Sequence, residues 1–216
     1  MFDDRTDAGR RLADLLGERG LEADLVLGIP RGALPVARPV ADALGADLDV
    51  VVAQKIGAPG NPELAIGAAA SDGSVWLNEA LVERLGVPDS HVEREREREA
   101  EHAREKAAAY RPGGRTDLPD LTGKRVVVVD DGVATGATAI ACLRQLRENG
   151  AARVILAVPV GSPDSLERLE AEADEIVALR TPADFRAVGQ YYRDFGQVSD
   201  DEAIEYLEFD SERDRE

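Results

Sequence analysis

A single cysteine, Cys142, stands in the 216-residue chain, so no internal disulfide can form. Its apolar neighbours Ala139, Ile140, Ala141 and Leu143 favour inert packing over nucleophilic chemistry. Lysine is almost as scarce: Lys55, Lys106 and Lys124 are the whole set, and arginine supplies the remaining positive charge. No run of about eighteen apolar residues exists, so a membrane span is not expected. Met1 to Asp7 is acidic and polar without an apolar core, which argues against a signal peptide and for a cytoplasmic protein. The net charge of −17 leaves no basic stripe to neutralise phosphates, which argues against nucleic acid as a partner. An acidic, lysine-poor surface suits a cytosol of high salt, where screening removes most self-repulsion.

What is present centres on Val126 to Thr138, V-V-V-V-D-D-G-V-A-T-G-A-T. Four consecutive β-branched residues predict a fully buried, parallel, central strand. Two carboxylates, Asp130 and Asp131, sit where that strand must end. A loop of small residues and hydroxyls follows (Gly132, Ala134, Thr135, Gly136, Ala137, Thr138) and leads into a helix reaching Asn149-Gly150.

The rest of the chain alternates strands and helices. Thr6-Asp7 can cap a helix to about Arg19, and Leu25 to Leu27 reads as a buried strand. Gly28-Ile29-Pro30-Arg31-Gly32-Ala33 is a tight turn into a helix through Val36, Val40 and Leu44. It is either a plain β–α connection or a second anion loop, with amides pointing at its contents. Asp49 to Ala53 reads as the next strand, which puts Lys55 at a strand's carboxyl end, where open α/β sheets hold ligands. Gly57 to Pro62 is too rich in glycine and proline for regular structure and suits a mobile loop. Asp72-Gly73 signals a hairpin. Asn78 can cap a short helix to Leu85, and Pro88-Asp89 starts another reaching Tyr110. Its E-R-E-R-E-R-E run places opposite charges three apart, as in Glu93–Arg96 and Glu95–Arg98, and reads as a solvated face. His91 and His102 lack metal-ligand spacing. Arg153 to Val158, Pro163 to Glu172 and Glu175 to Leu179 add a strand, a helix and a strand. This rhythm predicts an α/β fold with a doubly wound, mainly parallel sheet. The expected division is an α/β core over 1–180, carrying a charged helical insertion at 78–110, and an aromatic C-terminal hood over 181–216. That tail holds Phe185, Tyr191, Tyr192, Phe195, Tyr206 and Phe209, which must pack or stack on something flat.

Backbone N–H groups of a small-residue loop at a helix N-terminus, with two hydroxyls, suit a phosphate. Adjacent carboxylates suit the vicinal hydroxyls of a ribose, so a sugar 5-phosphate satisfies both halves. A nucleoside-triphosphate loop fails, because Gly123-Lys124-Arg125 lacks the hydroxyl residue and spacing, and no G-x-G-x-x-G follows a strand.

The stretch 126–138 resembles the 5-phosphoribosyl 1-diphosphate (PRPP) signature of type I phosphoribosyltransferases. It departs at Gly132, where an aliphatic residue is usual, which should loosen the loop entrance. L-G-I-P-R-G-A (27–33) resembles the family's pyrophosphate loop, and Gln54-Lys55 the strand end beside it. A-V-P-V-G (157–161) and the run 185–202 are similar to stand-alone predicted phosphoribosyltransferases of unestablished substrate. The resemblance implies that Asp130 and Asp131 hold the ribose 2- and 3-hydroxyls. It implies that Ala134, Thr135, Gly136, Ala137 and Thr138 bind the 5-phosphate. Pro30, Arg31 and Gly32 would lie along the pyrophosphate, and Lys55 beside it; Lys55, Arg31, Asp130 and Asp131 are the implied catalytic set. Magnesium would be held mainly by PRPP and water. The acceptor would be a nucleobase-like nitrogen compound, purine-like by this reading, and relatives are commonly homodimers. Ala134 replaces the aspartate that opens the loop in 6-oxopurine enzymes. Phe185, Tyr191 and Tyr192 would be either stacking residues of the specificity hood or packing for the tail. The lid, 57–66, carries Glu63 but no cation after Lys55. Alternatives are a non-catalytic PRPP sensor and, more remotely, a sugar-phosphate hydrolase using Asp130 as nucleophile.

Overall fold

The valine run lies in the middle of a five-stranded parallel sheet. The computed structural model describes residues 1–208, and Phe209, counted above among the tail aromatics, falls outside them. The sheet contains β1 (Leu25–Gly28), β2 (Asp47–Val50), β6 (Arg125–Val129), β7 (Arg153–Val160) and β8 (Glu175–Arg180), in the order β2-β1-β6-β7-β8. Leu27 lies opposite Val128, which in turn lies opposite Leu156.

Strand alternation sends the valines to two different cores. Val127 and Val129 pack with Leu12, Leu16, Val36 and Val40, from α1 (Arg5–Glu18) and α2 (Leu34–Leu44). Val126 and Val128 face Ile140, Leu143 and Leu169, from α5 (Ala137–Glu148) and α6 (Pro163–Leu169). All four valines are fully buried, which is why the strand reads as a continuous apolar run. Cys142 is buried in the second of these cores, as its neighbours suggested. Gly9 allows α1 to approach α2, since a Cβ there would meet the Val36 carbonyl oxygen at 2.5 Å. The cap of α1 is Asp4, whose side chain accepts from the Asp7 N–H, rather than Thr6 or Asp7.

Counting only the parallel strands, chain order reverses between β1 and β6. Ligand crevices in open α/β sheets form outside the carboxyl ends at such a reversal. Both loops singled out from the sequence, 28–33 and 130–138, leave the sheet there.

The strand expected over Asp49 to Ala53 is two. β2 ends at Val50, the buried Val51 and Val52 carry the chain out of the sheet, and β3 (Ala53–Ala58) opens a second one. There β3, β4 (Asn61–Ala70) and β5 (Val75–Leu77) form an antiparallel sheet in the order β3-β4-β5. The mobile lid expected at 57–66 is therefore a β-hairpin. Its glycines and proline are absorbed by irregularities in register at Gly57 and by the turn at Gly60, whose φ is +73°. A side chain at Gly57 would collide with the Pro62 backbone, 2.7 Å from the Cβ position.

The short α3 (Glu79–Leu85) is capped by Asn78, as expected, and α4 runs over Asp89–Tyr110. Glu93–Arg96 and Glu95–Arg98 pair at 3.6 and 2.5 Å. Yet α4 is not the solvated helix anticipated. Glu95 and Glu99 are buried, and Val92 and Ala100 pack on Ile56 and Ile66 of the hairpin. His91 is half-buried, with its Nε2 3.0 Å from the Gly57 carbonyl oxygen. Arg111, just past α4, is buried and holds Asp49 at 2.9 Å and the Val50 carbonyl at 2.7 Å, tying the helix end to the β2 exit.

The tail folds back onto the chain's beginning. Phe2 bridges to Tyr192, and Phe2, Tyr192 and Phe195 form a tilted aromatic chain at 5.3 and 4.9 Å. Phe185 stacks on Tyr191 at 5.8 Å. A last helix, α7 (Asp200–Glu208), buries Ala203 beside Leu34, Ala107 and Tyr110.

Candidate active site

A cavity of about 360 Å³ opens at the reversal point, lined by Ile29, Pro30, Gly32, Ala53, Gln54, Lys55, Lys106, Asp130, Asp131 and Thr138. Residues from 28–33, the start of β3, the end of β6 and the N-terminus of α5 thus meet in one place. Lys55 lies inside β3 rather than at a strand end, but the exit of β3 from the main sheet brings it to the same crevice.

Asp130 and Asp131 stand at the end of β6. The Asp131 N–H donates to Asp130 Oδ1 at 2.9 Å. Burial raises the Asp130 pKa well above the usual carboxylate range, and the adjacent Asp131 charge adds to it; that N–H bond, Lys55 and Arg5 oppose the rise. Burial also raises Asp131, against the hydrogen bond and charge of Arg5. Burial therefore opposes ionising both carboxylates, a cost that cations or hydroxyl donors entering the cavity would ease.

Arg5 was not anticipated from the sequence. Its Nε donates to Asp131 Oδ2 at 2.8 Å, its Nη1 donates to the Gly196 carbonyl at 2.7 Å, and its guanidinium lies 3.8 Å over the Phe195 ring. Tyr192 donates its hydroxyl to the Asp131 carbonyl at 2.6 Å. Tyr192 is thus packed between Phe2 and Phe195 with its polar end engaged, which favours the packing reading of this aromatic residue. Gly32 passes so close that a Cβ would meet the Asp131 carboxylate.

Gly132 does not loosen the loop entrance. A Cβ there would lie 2.5 Å from Val188 Cγ1 and 3.1 Å from Val160 Cγ1, so the tail fills the space an aliphatic side chain would take.

The loop 134–138 is braced from beneath. Ser162 and Ser165 donate to the Ala134 carbonyl at 3.0 and 2.6 Å, and Arg168 donates to the Thr135 carbonyl at 3.2 Å. With its carbonyls held by α6, the loop leaves its amides free. Among the described residues, no protein acceptor takes the N–H groups of Ala134 to Thr138. Those groups at the start of α5 make an anion site of the kind expected.

Arg31 follows a cis Pro30–Arg31 peptide bond; its neighbours Pro30 and Gly32 line the cavity, while Arg31 itself does not. Its Nη1 is 3.4 Å from Asp200 Oδ2 on α7, and Tyr110 donates to the other oxygen of Asp200 at 2.5 Å. Lys106, from α4, is the second residue that sequence reasoning missed. Its scarcity in an arginine-rich helix was the available signal, the same one that marked Lys55.

A model of the phosphoribosyl transferase domain family matches residues 4–195. A Mycobacterium tuberculosis protein provisionally named a phosphoribosyl transferase is 46% identical over 208 residues, which cover 96% of this chain and 46% of that protein. The chain thus spans about half the length of the curated relative it matches. A crystal structure of a Thermus thermophilus protein is similar at a TM-score of 0.80 and 47% identity, covering 96% of this chain and 97% of that one. A protein from Aquifex aeolicus, 16% identical with a TM-score of 0.50, covers 81% of this chain and 73% of its own and shares the fold.

Proposed function

The chain belongs to the phosphoribosyl transferase family, and from that membership we propose that it transfers the 5-phosphoribosyl group of PRPP to a nitrogen acceptor. The single supporting observation is the meeting, at one crevice, of an acidic pair, a braced loop of free amides and a cationic loop. Asp130 and Asp131 would take the ribose hydroxyls, whose hydrogen bonds favour ionised carboxylates and relieve the raised pKa values. Ala134 to Thr138 would hold the 5-phosphate, and Pro30, Arg31, Gly32 and Lys55 the diphosphate. In the reaction the C1–O bond breaks with its electron pair leaving on diphosphate. The acceptor nitrogen's lone pair closes on C1, and its proton passes to water. The sugar is cationic between these events, so positioning and leaving-group neutralisation carry the catalysis.

Magnesium fits the residues present as an ion brought by the substrate. Among the described residues no group of three acidic, histidine or cysteine side chains clusters to hold a metal. In this reading PRPP oxygens and water would mainly hold it, and bound there it would neutralise diphosphate charge. Residues 1–180 would form the PRPP-binding core with the insertion 78–110, and 181–216 the hood over the acceptor. A purine-like base and a homodimer complete the reading. Among the described residues no helix is long and apolar enough to cross a membrane.

The tip of the β3–β4 hairpin is exposed over 59–64 and carries Glu63 but no lysine or arginine, which favours a second reading as a non-catalytic PRPP sensor. A thermal-shift and diphosphate-release panel of nucleobases, with PRPP and magnesium, separates the two. A base that stabilises the protein only with PRPP present, and releases diphosphate, supports transfer. PRPP binding with no release for any base sinks the transferase and leaves the sensor.

A further inference from the structure

Lys106 is the one cation at the cavity that neither the loop pattern nor the proposed reaction has used. It lies on α4, which packs on the β3–β4 hairpin, and it lines the cavity together with Pro30 and Gly32 of the 28–33 loop. Among the described residues no hydrogen bond or ion pair holds its ammonium. It is half-buried beside Arg31, and burial and then the Arg31 charge lower its pKa, while Asp200 opposes them. Lys55 and Lys106 line a cavity that also exposes Thr138, and Arg31, between the lining residues Pro30 and Gly32 and close enough to Lys106 to lower its pKa, extends that positive charge into an arc. Asp200 reaches into that arc from α7, 3.4 Å from Arg31 and fixed by the Tyr110 hydroxyl at 2.5 Å. The Tyr110 hydrogen bond, with Arg31 and Lys106 nearby, lowers the Asp200 pKa, so it is anionic at neutral pH.

An arc of like charges with one resident carboxylate is a site waiting for a stronger anion. We propose that Lys106 supplies, from helix α4, the cation that contacts the diphosphate of PRPP, and that Asp200 is the internal anion which Arg31 and Lys106 share until diphosphate displaces it. This rests on the donor-site reading above. It reassigns to a helix the leaving-group cation that the lid lacks. It also gives α7 a restraining role: Asp200 and incoming diphosphate compete for the same two cations.

The two residues should then act with opposite signs. Calorimetric titrations with inorganic diphosphate and, separately, with ribose 5-phosphate test this on wild type, Lys106→Met, Lys106→Arg and Asp200→Asn. Loss of one charged contact should weaken diphosphate binding by about tenfold or more in Lys106→Met. Lys106→Arg should recover part of it, and ribose 5-phosphate, held by the 134–138 loop, should bind all four proteins equally. Asp200→Asn should bind diphosphate more tightly than wild type, which a merely structural role for Asp200 would not produce. Unchanged diphosphate binding in Lys106→Met, or loss of both ligands together, overturns the assignment and leaves the proposed function standing. Weaker diphosphate binding in Asp200→Asn overturns the competition. Wild type that binds ribose 5-phosphate but not diphosphate also overturns the assignment, and wild type that binds neither overturns the donor site itself.

Discussion

Substituting Gly132 tests whether the tail is seated on the acidic strand end. A Cβ at 132 would stand 2.5 and 2.9 Å from the two methyls of Val188, well inside ordinary contact, and Val188 is short and branched with no flexible end to swing away. Gly132→Ala should therefore cost about 1–3 kcal/mol through overpacking. For a domain of this size that is a fall in Tm of about 2–4 °C per kcal/mol. Val188→Ala alone, at a half-buried position, should cost about 1 kcal/mol. In the double variant the clash is gone, and the two costs should fail to add by roughly 0.5–3 kcal/mol. The cycle also separates contact from backbone preference, since any conformational penalty of alanine at 132 persists in both backgrounds. Thermal and urea unfolding of the four proteins supplies the numbers. If Gly132→Ala costs the same with and without Val188, the tail does not occupy this space, and the reasoning is wrong.

Three further outcomes follow from the same structure. Asp130→Asn should raise Tm at neutral pH, because a folded-state pKa raised above the unfolded value penalises the native state at any pH above the ordinary carboxylate range. The gain should shrink as pH falls from the raised value toward that range and be gone below it, and a lower Tm at neutral pH would contradict it. Arg111→Met leaves Asp49 without its buried partner and should cost about 3–5 kcal/mol in urea unfolding; a loss under about 1 kcal/mol would make the pair incidental. With a net charge of −17, the protein should melt higher in molar salt than in dilute buffer, and equal melting would remove the case for salt adaptation.

The elements that meet at the candidate site were legible because their signals are local. Val126 to Val129 had to be buried on both faces, and the residues that follow had to emerge at the sheet's carboxyl edge. The hairpin at 57–66 was misread for an equally local reason: Gly57 and Pro62 oppose strand formation individually, and only their mutual close approach across the hairpin turns them into a fit. Lys106 and Asp200 lie far from the loops in sequence, and nothing in their immediate neighbours points to Arg31. Arg5 was hidden likewise, since its partners Asp131, Phe195 and Gly196 come from remote segments. His91 and the buried Glu95 and Glu99 show the limit of reading charge alternation as solvent exposure. A helix lying against a small sheet can bury a carboxylate wherever an arginine on the next turn covers it.

The embrace of Asp131 by Arg5 on one side and Tyr192 on the other also bears on the order of folding. The pairing of β1 with β6, and of β6 with β7, needs neither end of the chain. The cluster around that carboxylate, in contrast, also joins Arg5 to Gly196, 191 positions apart, and closing a loop of that length is entropically the latest kind of contact to form. Binding competence should therefore arrive after the sheet has assembled: in refolding followed by both circular dichroism and ligand capture, capture should lag. A nascent chain that has not yet reached Tyr192 would have the strands, the loops and the acidic pair, with Asp131 still lacking its contact from the tail.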